Sequence, residues 1–480
     1  MNNRRFGMLF NTSENFHYFY DSGTGKVIRC NREEKNFIGK ILSNRLSLEE
    51  ACFLNPEFAE FINTENLFAC PEKRSFMIPE KDEFKELVKG SCEQIILELT
   101  EVCNLRCGYC IYNDHHPEFR GFSNTNMSFD IAKKSIDYVL RDYKRDKFSL
   151  TFYGGEPLVN FKVMSQCINY TKNKYPNIRL HIAFTTNLTL LTEEMVEYFN
   201  GLEQDSIDIM CSLDGPQNLH DKYRRYINDK GSFEDAIKGL NLLLSKFYNK
   251  DKGRTISINC VMTPPYSKKN MDAINVFFYE DLKLPKEIKC NYAYLDRGDM
   301  VFDFEQNEII ADDINRKLES SPLEEWAIDS FIEDKKNSQY FDIVSTDMAR
   351  VAKRMKADDG IIEATYLHGN CVPGHRRIYV TVNGVFQACE KMGESPILGD
   401  YKNGYNFDKV YKLYFEDYDK YFEDICKDCW ARPMCSICYE RTMDRNGVIP
   451  SIEKSVCNGS RRVIRDLFIN YSNFAHLKLH

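Results

Sequence analysis

The sequence predicts an α/β protein built around a parallel sheet of six strands. Six strand-like runs rich in β-branched and aromatic residues alternate with helical segments, at residues 94–100, 148–153, 178–186, 206–213, 255–262 and 287–295. Good N-cap residues precede three of the helical segments, with Ser128 before 129–143, Thr192 before 193–199 and Ser232 before 233–247. Strands that alternate with helices in this way predict parallel pairing through right-handed crossovers.

The composition is that of an ordinary globular protein. The chain has 480 residues, 43% of them hydrophobic and 28% charged, which predicts roughly two to four domains. A net charge of −8 argues against a dedicated nucleic-acid binder. Residues 1–10 hold too short an apolar run for a signal peptide, and no stretch has the apolar length of a membrane span. We therefore expect a cytoplasmic protein without a nucleic-acid or membrane partner.

Cysteine is the most informative residue type, because 18 cysteines in a cytoplasmic chain favour metal or cluster ligation over disulfides. Cys103, Cys107 and Cys110 follow the first predicted strand with the spacing C-x3-C-x2-C. A [4Fe-4S] cluster normally takes four cysteine ligands, so three cysteines leave one iron free to bind another molecule. The alternative at this point is a zinc or structural cysteine loop.

With Tyr109 before its last cysteine, this loop resembles that of the radical S-adenosylmethionine (SAM) superfamily. The resemblance implies a partial (β/α)6 barrel with chemistry at the carboxyl ends of its strands. It also implies that Cys103, Cys107 and Cys110 hold a [4Fe-4S] cluster whose open iron chelates SAM. An electron from that cluster would cleave SAM to a 5′-deoxyadenosyl radical.

Two further segments resemble SAM-binding motifs of the same superfamily. Tyr153-Gly154-Gly155-Glu156-Pro157 follows the second strand, and Ser212-Leu213-Asp214-Gly215-Pro216 with His220-Asp221-Lys222-Tyr223-Arg224 follows the fourth. The resemblance implies SAM contacts for Tyr109, Gly154, Gly155, Glu156, Asn187, Ser212 and Arg224. For His220 a structural role at a helix start competes with a catalytic one.

A second cysteine array lies near the C-terminus, at Cys371, Cys389, Cys426, Cys429, Cys435, Cys438 and Cys457. This order resembles the SPASM domain, although two residues rather than the usual three separate Cys435 from Cys438. The resemblance implies two auxiliary [4Fe-4S] clusters, and three clusters in all. Auxiliary II would take Cys426, Cys429, Cys435 and Cys457, and auxiliary I would take Cys371, Cys389 and Cys438. A zinc knuckle is the alternative for 426–438, and residues 379–386 predict a hairpin that presents Cys389.

Auxiliary I lacks the fourth cysteine that sulfatase-maturing relatives place just before the first, because residues 364–370 contain none. An open iron there would suit a substrate thiolate, a soft ligand, and the resemblance then implies a thioether-forming enzyme. Cys290 or His368 as the fourth ligand, or a purely electron-conducting cluster, are the alternatives. Glu390 follows Cys389 and is a candidate base for the peptide thiol, or else a surface residue or a partner of Arg376 or Arg377.

The N-terminal region predicts a hairpin over 17–30, a helix capped by Asn31 that runs to about Leu42, and a short helix after Ser47. Such a unit resembles the recognition domain of peptide-modifying enzymes, in which a leader peptide adds a strand to a sheet edge. An ordinary N-terminal extension is the alternative. The charged residues 71–89 predict a linker.

The combined prediction is an α/β protein with four segments. These are a peptide-recognition domain and linker (1–90), a radical SAM partial barrel (91–300), a helical bridge (301–370) and a cysteine-rich SPASM domain (371–480). The predicted enzyme binds a ribosomally made precursor peptide, forms cysteine thioether crosslinks and receives electrons from a flavodoxin or ferredoxin. Formylglycine formation, carbon–carbon crosslinking and a zinc-binding interaction protein are the rival predictions.

Overall fold

A computed structural model describes residues 7–71, 74–114, 116–117, 119–264, 266–294, 326–327, 330, 345, 348–357, 360–449 and 453–478. The chain forms two compact units. The barrel unit comprises Lys81–Trp326 and Cys371–Val410, and the terminal unit comprises Met1–Glu80, Ala327–Asn370 and Tyr411–His480. The predicted domain boundaries divide the chain differently and stay predictions. Most of the predicted helical bridge, through residue 344, lies outside the described residues.

The described strands and helices alternate through most of the chain. The strands are β1 (Gly7–Asn11), β2 (His17–Asp21), β3 (Val27–Cys30), β4 (Ser75–Phe76), β5 (Gln94–Thr100), β6 (Lys147–Gly154), β7 (Arg179–Thr186), β8 (Ser206–Ser212), β9 (Arg254–Met262), β10 (Cys290–Tyr294), β11 (Ala364–Thr365), β12 (Arg377–Val380), β13 (Val385–Gln387), β14 (Gly399–Asp400), β15 (Gly404–Tyr405), β16 (Met443–Asp444) and β17 (Gly447–Val448). The α-helices are α1 (Arg32–Leu42), α2 (Leu48–Leu54), α3 (Pro56–Glu65), α4 (Lys81–Val88), α5 (Phe129–Leu140), α6 (Phe161–Lys174), α7 (Glu193–Asn200), α8 (Gln217–Tyr223), α9 (Phe233–Leu242), α10 (Lys268–Val276), α11 (Phe407–Tyr411), α12 (Asp417–Cys426) and α13 (Glu453–Lys478).

The six predicted strands form the parallel sheet of the barrel unit, in the order β10-β9-β8-β7-β6-β5. Cys211 and Cys260 are fully buried in β8 and β9, as their place in apolar strand patterns predicts. The predicted fold class, an α/β partial (β/α)6 barrel, is therefore confirmed. The carboxyl ends of parallel strands meet at one edge, where the loops after β5, β6, β7 and β8 bring their side chains together.

The side-chain caps of the barrel helices agree with the sequence in two of three cases. Ser128 accepts a hydrogen bond from the Ile131 amide, and Thr192 accepts one from the Met195 amide. Ser232 directly precedes α9, as predicted, but its side chain makes no capping hydrogen bond. Its hydroxyl donates to the Arg224 carbonyl oxygen instead, 2.8 Å away.

The predicted hairpin at 379–386 forms from β12 and β13, with Gly384 in the left-handed conformation of its turn. Strand β12 pairs in parallel with β5, and β13, β14 and β15 continue the sheet. This hairpin therefore covers the edge of β5 that the six-stranded prediction leaves open, which removes an exposed row of backbone groups.

The terminal unit contains a three-stranded antiparallel sheet in the order β1-β2-β3. The predicted hairpin corresponds to β2 and β3, whereas β1 was not predicted. Capping boxes at Asn31 and Ser47 begin α1 and α2, as predicted. One side of the sheet packs on α1, α2 and α3 through Phe19, and the other packs on α13 through Tyr20.

The predicted linker at 71–89 is largely ordered. Strand β4 pairs in parallel with β11, and α4 buries Phe84 and Val88. The boundary between the two units, at Glu80 and Lys81, falls inside 71–89, and the linker itself stays a prediction. Within the described residues, no helix is both long and apolar enough to cross a membrane.

Candidate functional site

The three-cysteine loop directly follows β5 at the carboxyl edge of the sheet. The Cys110 amide donates to the Cys107 carbonyl oxygen (3.1 Å), and the Leu105 amide lies 3.4 Å from the Cys103 sulfur. Burial raises the pKa of the Cys103 and Cys107 thiols to about 12. Both thiols therefore need a nearby positive centre to ionise at neutral pH, which fits an iron–sulfur cluster.

Gly154 and Gly155 hold the backbone of β6 against the start of this loop. A Cβ atom on Gly155 would lie 2.2 Å from the Val102 carbonyl oxygen, and one on Gly154 would lie 2.3 Å from that of Thr100. The Gly155 and Glu156 amides donate to the same two oxygens, at 2.8 and 2.9 Å. Gly154 also has a φ of +141°, which L-amino acids rarely adopt. These glycines thus position the cysteine loop, and their predicted contact with SAM stays a prediction.

Glu156 is fully buried and hydrogen-bonded through both carboxylate oxygens. Oε2 accepts from the Asn187 amide (2.7 Å), and Oε1 accepts from the Thr186 hydroxyl (2.9 Å) and the Leu158 amide (3.1 Å). Burial raises its pKa to about 7. These bonds indicate that Glu156 fixes the turn after β7, and its predicted contact with the SAM amino group stays a prediction.

Asn187 links that turn to the cysteine loop. Its Nδ2 donates to the Asn104 Oδ1 atom (2.9 Å) and lies 4.0 Å from the Cys103 sulfur. The Asn104 Nδ2 atom in turn donates to the Thr189 hydroxyl (2.7 Å). The sequence predicted Asn187 as a polar contact for SAM, and the structure brings it to the cysteine loop. Asn104 was not singled out from the sequence.

Arg224 and Tyr109 meet at Asp214, a residue to which sequence reasoning gave no role. Arg224 forms a two-pronged ion pair with Asp214, with Nε to Oδ2 at 2.8 Å and Nη2 to Oδ1 at 3.1 Å. The buried Tyr109 hydroxyl donates to Asp214, and the Asp214 Oδ1 atom also accepts from the Val261 amide (2.9 Å). The Arg224 guanidinium also lies 5.3 Å from the centre of the Tyr109 ring. Asp214 thus orients two residues predicted to contact SAM, which is a positioning role.

Ser212 is buried at the last position of β8, and its predicted contact with the SAM carboxylate stays a prediction. His220 is also buried. Its Nδ1 atom accepts from the Asp214 amide (3.4 Å), and its Nε2 atom lies 3.1 Å from the Ser232 hydroxyl. Both ring nitrogens have protein partners, which favours the structural role for His220.

Sequence comparison identifies the domain to which this edge belongs. Residues 97–275 match the radical SAM superfamily. These residues form a radical SAM domain. The family uses SAM and a [4Fe-4S] cluster, and Cys103, Cys107 and Cys110 are the residues of this chain that would hold the cluster.

Three curated proteins are similar to parts of the chain. The uncharacterized protein MJ0907 of Methanocaldococcus jannaschii is 29% identical over 246 residues, covering 44% of this chain and 81% of that protein. The serine-type anaerobic sulfatase-maturating enzyme of Bacteroides thetaiotaomicron is 30% identical over 40% of this chain and 42% of its own length. The cysteine-type anaerobic sulfatase-maturating enzyme of Clostridium novyi is 31% identical over 32% of this chain and 40% of its own length. This chain therefore spans less than half the length of either maturating enzyme.

The fold is also found in a solved structure. Native anSMEcpe with bound AdoMet has a TM-score of 0.56 and 17% sequence identity, covering 80% of this chain and 99% of that chain. At this identity the likeness concerns the fold alone. It agrees with the arrangement of strands in the radical SAM domain.

The four cysteines predicted for auxiliary II line one cavity of the terminal unit. This cavity is bordered by Cys426, Cys429, Cys435 and Cys457. Within the described residues, no three His, Cys, Asp or Glu side chains converge closely enough to hold a single metal ion. A cubane cluster is larger than an ion and spreads its thiolate ligands over four iron corners, so this wider lining fits the predicted auxiliary II.

Basic side chains also line the auxiliary II cavity. Arg432 is buried, and its Nε atom donates to the Thr365 hydroxyl at 3.1 Å. Arg461 also lines the cavity, and although burial acts to lower its pKa, the neighbouring Cys429 raises the pKa of Arg461 overall. A cluster bound by four thiolates carries net negative charge, so these cations would stabilise it.

The sequence predicted His368 as one alternative for the fourth ligand of auxiliary I. Its imidazole instead contacts Cys426, which belongs to the set predicted for auxiliary II. The Nε2 atom is 3.3 Å from the Cys426 sulfur of the auxiliary II set, and Nδ1 is 2.8 Å from the Tyr418 hydroxyl. Burial lowers the pKa of the imidazole to about 3, so the ring is neutral at pH 7. Both nitrogens thus have partners, which argues against this alternative.

The residues predicted for auxiliary I fall in both units. Cys371 and Cys389 belong to the barrel unit and Cys438 to the terminal unit, so this ligand set stays a prediction. Cys290, the other alternative ligand, begins β10, and its sulfur accepts a hydrogen bond from the Tyr279 hydroxyl (3.2 Å). Glu390 lies 3.6 Å from the Arg377 guanidinium, which agrees with the predicted alternative that Glu390 is a partner of Arg377.

Proposed function

We propose that this radical SAM enzyme binds a ribosomally made precursor peptide and forms intramolecular thioether crosslinks from its cysteines. The observation that carries the proposal is that residues 364–370 contain no cysteine, which leaves three cysteines in the ligand set proposed for auxiliary I. Three thiolates leave one coordination position for a cysteine thiolate of the substrate, because soft sulfur ligands suit iron–sulfur clusters.

The contacts of the two alternative ligands support this proposal. His368 has its ring nitrogens against Cys426 and Tyr418, in the auxiliary II set. Cys290 lies in β10 with Tyr279 against its sulfur, and burial raises the pKa of its thiol to about 11. Residues 364–370 contain no cysteine. Cys371, Cys389 and Cys438 therefore remain the three proposed ligands.

The radical SAM domain provides the site for the radical step of the proposed reaction. When bound, SAM and the clusters supply a 5′-deoxyadenosyl radical for hydrogen abstraction and an acceptor for the electron released as carbon–sulfur bonding proceeds. The chain's own residues hold the site in place, since Gly154 and Gly155 fix the cysteine loop and Asp214 fixes Tyr109 and Arg224. A flavodoxin or ferredoxin would supply the reducing electrons.

Glu390 is the proposed acceptor of the substrate thiol proton. Its side chain is 20% exposed, and Arg377 lies 3.6 Å from Oε2, too far for a hydrogen bond. That oxygen is buried and has no hydrogen-bond partner within the described residues. A carboxylate oxygen in this state is able to take a proton from a thiol that enters the site.

The three-stranded sheet of the terminal unit is the proposed leader-binding element. Its two faces are covered by helices, and β1 and β3 are its outer strands. An outer strand offers backbone groups with which an extended peptide pairs. We therefore assign the leader to one of these two edges.

Formylglycine formation is the second candidate function, because two curated relatives at 30% and 31% identity are sulfatase-maturating enzymes.

The experiment that separates the two candidate functions uses anaerobically reconstituted protein, a reductant, SAM and the cysteine-containing peptide encoded beside the gene of this protein. We expect loss of two hydrogens for each crosslink and loss of thiol alkylation at that cysteine. A hydrazide-reactive aldehyde would support the second candidate, and a peptide that loses hydrogen yet keeps a reactive thiol would overturn thioether formation.

Two alanine variants test the ligand set directly. We expect Cys389→Ala to lower the bound iron and acid-labile sulfide by about one cluster, whereas Cys290→Ala leaves both unchanged. Loss of iron in Cys290→Ala would identify that residue as the fourth ligand and would overturn the open position.

A further inference from the structure

A second cavity of the terminal unit lies against the cysteine segment of the proposed auxiliary II. Its volume is about 330 Å³, which is within the size range of protein ligand sites. Residues between 349 and 355 line one side of it, and Pro433 and Met434 line another. The cavity opens at the surface, because Lys353 and Tyr366 also line it and both side chains are exposed. We call it the basic cavity, for the charges described below.

One short turn separates the basic cavity from the cavity of the proposed auxiliary II. The 3₁₀ turn Arg432–Met434 contributes Pro433 and Met434 to the basic cavity. On the other side, Arg432 and the neighbouring Cys435 line the auxiliary II cavity. The Met434 and Cys435 amides close the turn by donating to the carbonyl oxygens of Ala431 (3.0 Å) and Arg432 (3.2 Å). A molecule in contact with Met434 is therefore one residue along the chain from a proposed cluster ligand.

The basic cavity is positively charged, although the whole chain has a net charge of −8. Three of its lining side chains are cationic, namely Arg350, Lys353 and Arg354, and no acidic side chain of the described residues lines it. Arg354 is fixed in place, because Nε donates to the Gly25 carbonyl oxygen (2.7 Å) and Nη1 donates to that of Val351 (2.8 Å). The nearest acidic residues along the chain, at positions 358 and 359, lie outside the described residues. A concave positive surface of this kind attracts a negatively charged partner.

The residue types that line the basic cavity favour a protein partner. Arginine, tyrosine and methionine are enriched in protein–protein interfaces, and the lining combines two arginines with Tyr366, Met355 and Met434. Tyr366 is 66% exposed, so its ring is available to a partner surface. The place of the cavity, one turn from the proposed auxiliary II, favours a partner that exchanges electrons with that cluster. An acidic electron-carrier protein meets all three conditions.

We propose that the basic cavity is the docking surface for an acidic flavodoxin that delivers electrons to the proposed auxiliary II. In each transfer the anionic flavin hydroquinone of flavodoxin loses one electron and becomes the neutral semiquinone. The cluster gains that electron, and no covalent bond forms or breaks. This inference rests on the proposed function, which requires a reductant, and it identifies the surface at which that reductant binds.

The test measures electron transfer by anaerobic stopped-flow absorbance. Recombinant acidic flavodoxin in its hydroquinone state is mixed with reconstituted holoenzyme in the absence of peptide, and formation of the semiquinone is followed. Electron paramagnetic resonance of freeze-quenched samples identifies the reduced cluster. We expect Lys353→Glu to lower the second-order rate constant roughly 3- to 10-fold at low ionic strength, and Lys353→Gln to lower it by less. The difference from wild type is expected to disappear at high ionic strength, because salt screens the attraction.

Lys420→Glu is the matched control, since Lys420 is an exposed lysine of α12 in the same unit and does not line the basic cavity. We expect its rate constant to stay within about twofold of wild type. Iron content and the amount of cluster that dithionite reduces at equilibrium are expected to be the same in all four proteins, which shows that the clusters are intact.

Equal rate constants in wild type and Lys353→Glu at low ionic strength would overturn the docking surface. A wild-type holoenzyme that dithionite reduces and flavodoxin does not would also overturn it, as would loss of iron in both Lys353 variants. An increased Kd for the precursor peptide in Lys353→Glu, with electron transfer unchanged, would assign the cavity to the peptide instead. Because the assay contains no peptide, its result is separate from the proposed reaction. Charge-dependent electron transfer with a peptide that stays unmodified would support the docking surface and overturn thioether formation.

Discussion

The Nε2 atom of His368 lies 3.3 Å from the Cys426 sulfur, inside the cavity that Cys429, Cys435 and Cys457 also line. The imidazole is neutral because burial lowers its pKa to about 3. A cysteine that ligates the proposed auxiliary II is a thiolate with no proton to donate, so the single imidazole N–H then belongs on Nε2, and Nδ1 accepts from the Tyr418 hydroxyl 2.8 Å away. His368 is therefore placed to hydrogen-bond a ligand thiolate of the proposed auxiliary II.

His368→Phe is expected to lower the reduction potential of the proposed auxiliary II. An N–H donor to a ligand sulfur stabilises the more negative, reduced cluster, and phenylalanine retains the edge-on packing against Phe76 and Phe422 without donating. One hydrogen bond corresponds to a shift of roughly 20 to 65 mV for a one-electron couple. Redox titration followed by electron paramagnetic resonance measures it, with His17→Phe on β2 as the control. If wild type, His368→Phe and His17→Phe have the same reduction potential at equal iron content, His368 does not donate a hydrogen bond to the cluster.

Gly155→Ala is expected to remove about one cluster, roughly four irons per chain, from the three-cysteine loop. The added methyl group would lie 2.2 Å from the Val102 carbonyl oxygen, and the backbone there has no flexible end that moves aside. Gly121→Ala is the matched control because its Cβ meets nothing within 4 Å. Iron analysis and SAM cleavage provide the measurement. Full iron content in Gly155→Ala would show that the loop tolerates a wider separation from β6.

Glu156→Gln is expected to weaken SAM binding roughly 5- to 20-fold without loss of iron. One amide oxygen is able to replace Oε1, but the NH2 group would then face the Asn187 amide, a donor against a donor. The turn after β7 would shift, and Asn187 with it. Equilibrium dialysis with SAM gives the binding constant, and Glu197→Gln on the exposed face of α7 is the control. An unchanged SAM affinity would mean that Asn187 does not contribute to the SAM site.

The sequence predicted those parts of the molecule whose signals are local. The strands β5 to β10 have apolar runs of strand length between capped helices, and the pattern of Cys103, Cys107 and Cys110 depends on spacing alone. The pairing of Asp214 with Tyr109 and Arg224 joins residues up to 105 positions apart, and no local pattern distinguishes Asp214 from an ordinary turn residue. Ser232 shows the same limit, because its hydroxyl has a tertiary partner that competes with helix capping.

The ion pair between Glu98 and Arg120 also had no local signal in the sequence. Arg120 lies in an irregular loop, and its partner Glu98 is a charged residue within the apolar strand β5. A buried acidic residue in a strand is a sign of a specific partner, since burial without one is strongly unfavourable. That sign was available in the sequence, but only the fold identifies Arg120 as the partner.

The stability of the protein is expected to fall between pH 6.5 and pH 4 because of His220. Burial, with the nearby Arg224 charge, lowers its pKa to about 4, below the ordinary value of 6.5. In this window the unfolded chain binds a proton that the folded chain excludes. The contribution of His220 to the free energy of unfolding is therefore fully present above pH 6.5 and is lost as pH falls. Protonation would place a proton on Nδ1, the atom that accepts from the Asp214 amide. The full shift corresponds to about 3 kcal/mol, of which about 2 kcal/mol is lost between pH 7.5 and pH 5.

His220→Gln isolates this contribution, because its amide is able to accept from the Asp214 amide and donate to Ser232 without titrating. The free energy of unfolding of wild type and variant is measured in urea under anaerobic conditions at both pH values. His368 titrates in the same direction, and both proteins retain it, so the difference between them reports His220 alone. We expect the variant to lose about 2 kcal/mol less than wild type as pH falls from 7.5 to 5. An identical loss in the two proteins would show that His220 is charged or solvated in the folded state, and its assignment as a neutral structural residue would then be wrong.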